Sequence, residues 1–290
     1  MHADVIDALV LHAPAASSDA AHCIARLAVR SLHTELRLHP KPGLVTPLHN
    51  GSHHDMTATT FLRSLFALRH YFRQIAIAGS EGAPFDILRD LGIGAECTMM
   101  RATGGINTHR GAIFAVGLLA AAIGAASKSS KKICEPHAVR HALLQHWGAA
   151  LNDHAHTVDS VVRAPPSGAR AEAARGFPAV FDIGLPTLMH SLSLHRSWHH
   201  ACIDTLFTLI AWIDDTNLTH RGGAAGAAEA RLLAQQFIDA GATGNPAWAH
   251  RAEAIGARFV MLNLSPGGAA DLLAATCLVH WATHLPHAWR

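Results

Sequence analysis

Apolar residues recur at three- and four-residue steps along almost the whole chain, and no run of alternating β-branched residues reads as a strand. A chain patterned this way can bury its apolar stripes only against other helices, so the expected fold is all-α. Ile24, Leu27, Ala28, Leu32 and Leu36 make one stripe, with Ser18 or Asp19 as its expected N-cap and Glu35 at its edge. Phe61, Leu65, Leu68, Phe72 and Ile75 make a second, read as one long helix opened by a Ser52/Asp55 capping box and stopped by Gly79. Further helices are expected over 86–101, 136–151, 178–194, 199–214, 224–240 and 247–264, with Pro186 kinking or splitting the one that contains it. Ser265 as N-cap with Pro266 at N1 opens the last. The run Ala112 to Ala126 is too short, and too rich in Ala and Gly, for a membrane span; it reads as a buried central helix.

No Pro/Ser/Gly-rich linker or charge block divides the 290 residues, so residues 1–290 read as a single multi-helix domain, with 1–17 a loosely held N-terminal segment. The formal charge is only +2 and no Lys/Arg stripe forms, which points away from nucleic acid or a membrane surface as partner. The basic patch from Lys128 to Lys132 is broken by serines and reads as a solvated loop. Five cysteines without metal-site spacing cannot complete a disulfide framework, and Met1 to Pro14 carries Asp4 and Asp7 and no basic leader. A reducing cytoplasm is the expected compartment. The 24 histidines are scattered; pairs such as His137/His141 and His280/His284 have no third ligand nearby and read as compositional. Oligomeric state is left open.

Between the helices lie four junctions of a different kind. Gly94 to Gly111 carries Glu96, Thr103, Gly104, Gly105, Asn107, Thr108, His109 and Arg110 just ahead of the central helix. Asp214-Asp215-Thr216-Asn217 runs on to His220-Arg221-Gly222-Gly223, and Lys41-Pro-Gly-Leu-Val is followed by Asn50-Gly-Ser-His53-His-Asp55-Met. Ser265-Pro-Gly267-Gly268-Ala-Ala-Asp271 is the fourth. Helix N-termini with free N–H groups and basic side chains bind anions, phosphate above all, so the junctions suggest one shared site where helix ends converge. Bland readings compete: glycine pairs as helix stops, Asp55 and Ser265 as caps, Arg170 and Glu172 as a local ion pair.

In order and spacing these junctions, with Gly168-Ala-Arg170-Ala-Glu172 and Gly176-Phe-Pro, resemble the triphosphoribosyl-dephospho-coenzyme A synthase family from about Ala20 to Leu285. That resemblance implies ATP and 3′-dephospho-CoA as substrates, with triphosphoribosyl transfer to the 2′-hydroxyl of dephospho-CoA and release of adenine. It also implies a functional link to a phosphoribosyl-dephospho-CoA transferase and an acyl-carrier protein of citrate lyase or malonate decarboxylase. Ala171 stands where a glycine is common, Pro165-Pro166 where a tyrosine-bearing segment is common, and Arg110 where lysine also occurs.

Such a reaction needs an anchored triphosphate, a base for the hydroxyl and an acid for the departing purine. By residue type, Asp214, Asp215, Asp55 and Asp271 suit Mg²⁺ as the cofactor. Lys41, Arg110 and Arg221 suit the phosphates, helped by N–H groups at Gly104, Gly105, Gly222, Gly223, Gly267 and Gly268. Asn50, His53, Thr103, Asn107, Thr108, His109, Arg170, Glu172 and Ser265 complete the expected binding set. Glu35, Glu96 and Asp215 are the candidate bases, with Glu96 favoured for its place beside the glycine pair; His53, His109 and His220 are the candidate acids. Two other readings use the same residues: a Mg²⁺-dependent nucleotide N-glycoside hydrolase, and a non-catalytic CoA- or nucleotide-binding protein.

Overall fold

The computed structural model describes residues 15–129, 135–156 and 167–284. The readings of residues 1–14, of 130–134 in the basic patch, of Cys134, of Pro165-Pro166 and of Leu285 lie outside them. Among the described residues there are twelve α-helices, one π-helical turn, one 3₁₀ turn and no strand, as the periodicity requires. The four described cysteines are free thiols.

Helix α1 (Ala15–Arg37) begins ahead of Ser18 and Asp19, which lie inside its first turns and cap nothing; the segment expected to be loose is helical from Ala15. The expected long second helix is two, α2 (Ala58–Ala67) and α3 (Arg69–Ser80), parted at Leu68. Its capping box is Thr57 with Thr60, in place of Ser52 with Asp55. Ser52 instead donates its hydroxyl to the Leu264 carbonyl at 2.6 Å, locking the preceding loop to the far end of the chain.

Helices α4 (Phe85–Thr103) and α5 (Arg110–Ser129) follow. Gly79 does not stop α3 but lets it touch α5: a Cβ there would sit 2.1 Å from the Ala121 carbonyl oxygen, and one at Gly124 would sit 2.4 Å from that of Ala76. The chain leaves α3 at Gly82, whose φ is +68°. By length and composition α5 could cross a membrane, yet 78% of that stretch is buried within the protein. It is the central helix the sequence suggests, packed by α1, α3, α6 (Pro136–His156) and the last helix.

Beyond the short α7 (Gly168–Ala174), a π-turn (Ala179–Gly184) leads into α8 (Leu185–Ser193). Pro186 sits where the π-turn gives way to α8; Gly184 and Leu185 keep helical backbone across the change, so the segment is one continuous helical run whose hydrogen-bond pattern shifts just ahead of the proline. Helix α9 (Trp198–Trp212) comes next, and then α10 (Thr216–Asp239) starts eight residues earlier than the sequence suggests, because Asp215 caps it. A break at Gly223, with φ 65° and ψ −171°, divides α10 where a loop was expected. Helix α11 (Trp248–Met261) and α12 (Gly267–His284) complete the fold. Every residue from Leu272 to Thr283 is buried, so α12 and α5 form the centre of the bundle with α1 laid against both.

Candidate functional site

The N-terminal ends of α5, α10 and α12 open onto one cavity of about 1190 Å³, walled also by the inner faces of α1 and α4. Its floor is acidic. Glu35 of α1 lines it and is paired in the interior with Lys41, whose ammonium reaches both Glu35 Oε1 (2.5 Å) and the Glu35 carbonyl (2.7 Å). Burial pushes the Lys41 ammonium below its ordinary range, and Glu35 offsets part of that. Asp271 lines the floor and accepts the Ala112 N–H; burial first, then the charges of Glu35 and Asp215, hold its carboxyl well above the usual carboxylate range. Gly111 makes this contact possible, since a Cβ there would meet Asp271 Oδ2 at 2.0 Å.

Asp215 also lines the cavity, but its oxygens serve two helix ends. Oδ1 accepts from Asn217 N (2.9 Å) and Nδ2 (3.2 Å), and Oδ2 accepts from Ala269 N (2.9 Å), so one carboxylate caps both α10 and α12. Burial nevertheless pushes it above its ordinary range. The expected Ser265 cap is therefore corrected: Ser265 Oγ meets His53 Nε2 at 2.9 Å, and burial, then Arg221, push the His53 imidazole below its ordinary range.

Glu96 lines the wall, part-exposed, its Oε2 accepting from Arg110 Nε at 2.9 Å. Asn107 Oδ1 accepts from the Arg110 N–H at 3.2 Å and so caps α5. Arg221 fastens three segments, donating to the Asn263 carbonyl and side chain and to the Ser52 carbonyl, while lining the cavity beside an exposed His220. Arg170, Glu172, Thr108, His109, Gly267, Gly268 and Asp214 line it too. Glu172 pairs with Arg175, not Arg170, and accepts the Ala179 N–H at 3.0 Å; burial pushes its carboxyl up.

Eight expected site residues do not line the cavity: Lys41, Asn50, Asp55, Thr103, Gly104, Gly105, Gly222 and Gly223. The glycine pair is a helix stop, for Gly104 and Gly105 both donate their N–H groups to the Met100 carbonyl and have none to give a phosphate. Thr103 Oγ1 is spent on the Met99 and Ile106 carbonyls. Gly222 lies where a Cβ would strike Leu264, and Gly223 is the break in α10. Among the described residues no three His, Cys, Asp or Glu side chains form a metal cluster.

Beside the expected Arg170, the sequence reading missed a wall made by Phe85, Arg89, Phe114 and His154. Phe85 and Phe114 flank His154 at ring-centroid distances of 5.4 and 6.2 Å, and Arg89 and Arg170 stand near enough to lower the His154 pKa after burial. Arg89, Gly92, Ile93 and Glu96 all line the cavity at i, i+3, i+4 and i+7 of α4, a spacing visible in the sequence.

Burial, helped by Lys41, pushes His109 from its ordinary value of 6.5 down to about 3. Between those values the unfolded chain binds a proton that the folded chain refuses. This contribution to stability is fully present above about pH 6.5 and is lost as pH falls toward 3, at no more than about 1.4 kcal/mol per pH unit. Asp215 and Asp271 act in the opposite sense, their contribution present at low pH and lost as pH rises through their raised values. Urea titrations between pH 4.5 and 6.5 should therefore show a flatter loss of stability toward acid in His109→Gln than in the parent; equal slopes would place the His109 proton otherwise.

Residues 21–288 match the family described as ATP:dephospho-CoA triphosphoribosyl transferase. The chain is similar to a probable 2-(5″-triphosphoribosyl)-3′-dephosphocoenzyme-A synthase of Salmonella gallinarum, at 37% identity over 94% of each chain. It is similar to proteins of the same name from Pseudomonas paraeruginosa (38%, covering 90% of each chain) and Acinetobacter calcoaceticus (34%, covering 89% of this chain and 90% of that one). No solved structure matches the chain.

Proposed function

Because the chain belongs to the ATP:dephospho-CoA triphosphoribosyl transferase family, we propose that it joins the ribose C1 of ATP to the 2′-hydroxyl of 3′-dephospho-CoA and releases adenine. The observation that carries this for the present chain is the cavity itself. At about 1190 Å³ it exceeds the range usual for one drug-sized ligand, roughly 300–1,000 Å³, and so has room for two nucleotides. It also presents acids, bases and arginines together.

In the proposed reaction the C1–N9 bond breaks with its electron pair leaving on the purine, and a C1–O bond forms from the acceptor hydroxyl. Glu96 takes the hydroxyl proton: it faces the cavity, is accessible, and is held by Arg110 at the start of α5. Asp271, which lines the floor and whose carboxyl is held above its usual range by burial and by the charges of Glu35 and Asp215, is the group placed to supply one to the purine, so protons balance. His53 and His109, both pushed toward the neutral form, are less suited to that acid role than the sequence suggests. Arg110, Arg170 and Arg221 receive the phosphates.

The four aspartates do not make a protein-built metal centre. Asp55 is outside the cavity, and Asp215 and Asp271 have oxygens engaged by backbone N–H groups. The Mg²⁺ that would fit is one bound mainly by phosphate oxygens and water, joined by exposed Asp214, whose Oδ1 faces Arg231 at 4.0 Å; it would neutralise phosphate charge. The product's consumer would be a transferase acting on an acyl-carrier protein, and a cytoplasmic setting suits both nucleotide substrates.

The test is adenine release from ATP and Mg²⁺ with and without dephospho-CoA, followed by chromatography and mass spectrometry. Adenine together with a triphosphoribosyl adduct, and only when the acceptor is present, is expected. Release without the acceptor would make the protein a hydrolase, and no release in either case would leave a binding protein.

A further inference from the structure

Two neighbouring side chains before α5 keep buried polar atoms without a partner, Thr108 Oγ1 and His109 Nε2, and both residues line the cavity. His109 is 3% exposed, set edge-on to Phe61 at 4.9 Å, with its backbone N–H on Met99 Sδ. Its Nδ1 lies 2.6 Å from Ser64 Oγ, on α2.

The tautomer follows from counting unmet groups. Ser64 is fully buried, and its hydroxyl has no other hydrogen bond among the described residues. With the proton on Nδ1, the Ser64 O–H and the Nε2 lone pair would both be buried unused. With the proton on Nε2, Ser64 donates to Nδ1 and only the Nε2–H is left over. The second arrangement strands fewer groups and is favoured.

We propose that Ser64 is a positioning residue that fixes His109 with its Nε2–H free to donate, and that this N–H, beside the Thr108 hydroxyl, holds a ring nitrogen of the departing purine. An uncharged donor set among Phe61 and Met99 suits an uncharged heterocycle; stripping water from a phosphate there would cost more, and arginines elsewhere in the cavity receive phosphates. The purine leaves with the glycosidic electron pair, so charge builds on its ring nitrogens and the hydrogen bond strengthens as the bond breaks. No bond to His109 forms or breaks. The role rests on the transferase reading above.

Nitrogen-15 NMR of histidine-labelled enzyme, compared with His109→Gln for assignment, should show the Nε2–H tautomer in the parent and tautomer exchange in Ser64→Ala. His109→Phe should lower kcat about 100-fold, with KM for dephospho-CoA within about twofold of the parent. His109→Gln, which keeps an N–H in reach, should recover activity to within about tenfold of the parent. In the parent, either 3-deaza-ATP or 7-deaza-ATP should react slowly, and His109→Phe should slow that same analogue no further. An Nδ1–H tautomer in the parent, a His109→Phe loss under about threefold, or full additivity with both analogues would overturn the proposal. If His109→Phe does not fold, His109→Gln must still blunt the discrimination against the deaza analogue. If the parent releases no acceptor-dependent adenine, the transferase reading and the purine contact fail together, and the NMR result still decides the Ser64–His109 pairing.

Discussion

Glu96→Gln is expected to lower kcat for acceptor-dependent adenine release by about 10²- to 10⁴-fold, the usual share of a general base. Glutamine preserves the shape of the side chain and an oxygen for Arg110, but it cannot take a proton. Stability should barely move. The Glu96 and Arg110 side chains are 35% and 56% exposed, and an ion pair so open to water contributes about 1 kcal/mol or less. Catalysis and folding are thus separable here, and steady-state rates beside a urea melt would separate them. A loss smaller than about tenfold would move the base elsewhere, with Glu35→Gln and Asp215→Asn the next variants to assay.

Lys41→Met should give the opposite split. The Lys41 and Glu35 side chains are 1% and 8% exposed, so removing the cation strands a carboxylate in the interior at a cost of about 3–5 kcal/mol. Such a loss is a large part of the stability of an ordinary domain. The double variant Lys41→Met with Glu35→Leu should recover most of it, because a buried pair replaced by apolar residues of similar volume is often close to neutral. Denaturation midpoints of the single and double variants measure this. A single variant within about 1 kcal/mol of the parent, or a double variant no better than the single, would show that the pair does not hold α1 to the following loop in this way.

The outer helices were legible because one-sided burial imposes a 3.6-residue period on them, and α5, apolar on all sides, stood out as central from its composition alone. Local chemistry was less legible. Gly104-Gly105 before polar residues looks the same in sequence whether its N–H groups face a phosphate or close a helix on Met100, and here they close the helix. The start of α10 was missed although its cap is local, Asp215 accepting from Asn217 N, because the polar, glycine-ended run to Gly223 reads as a loop; that the other Asp215 oxygen caps α12 at Ala269, 54 residues away, has no local signal. Ser64 was hidden on an apolar stripe, where only the approach of His109 gives its hydroxyl a use. Asp215, Asp271, Arg221 and Glu96 were found from residue type and position, and they do meet in one cavity. What each oxygen is bonded to came only from the packing.

Helix α12 is the last helix made among the described residues, and its fully buried run from Leu272 to Thr283 fills the space between α5 and α1. On the ribosome, α1 and α5 must therefore wait with apolar faces uncovered, for on the order of ten seconds at the ~5–20 residues per second of synthesis. Until α12 arrives there is neither a closed core nor a floor to the cavity. A stalled or truncated chain would be a sticky polypeptide in need of a chaperone, not a smaller working protein.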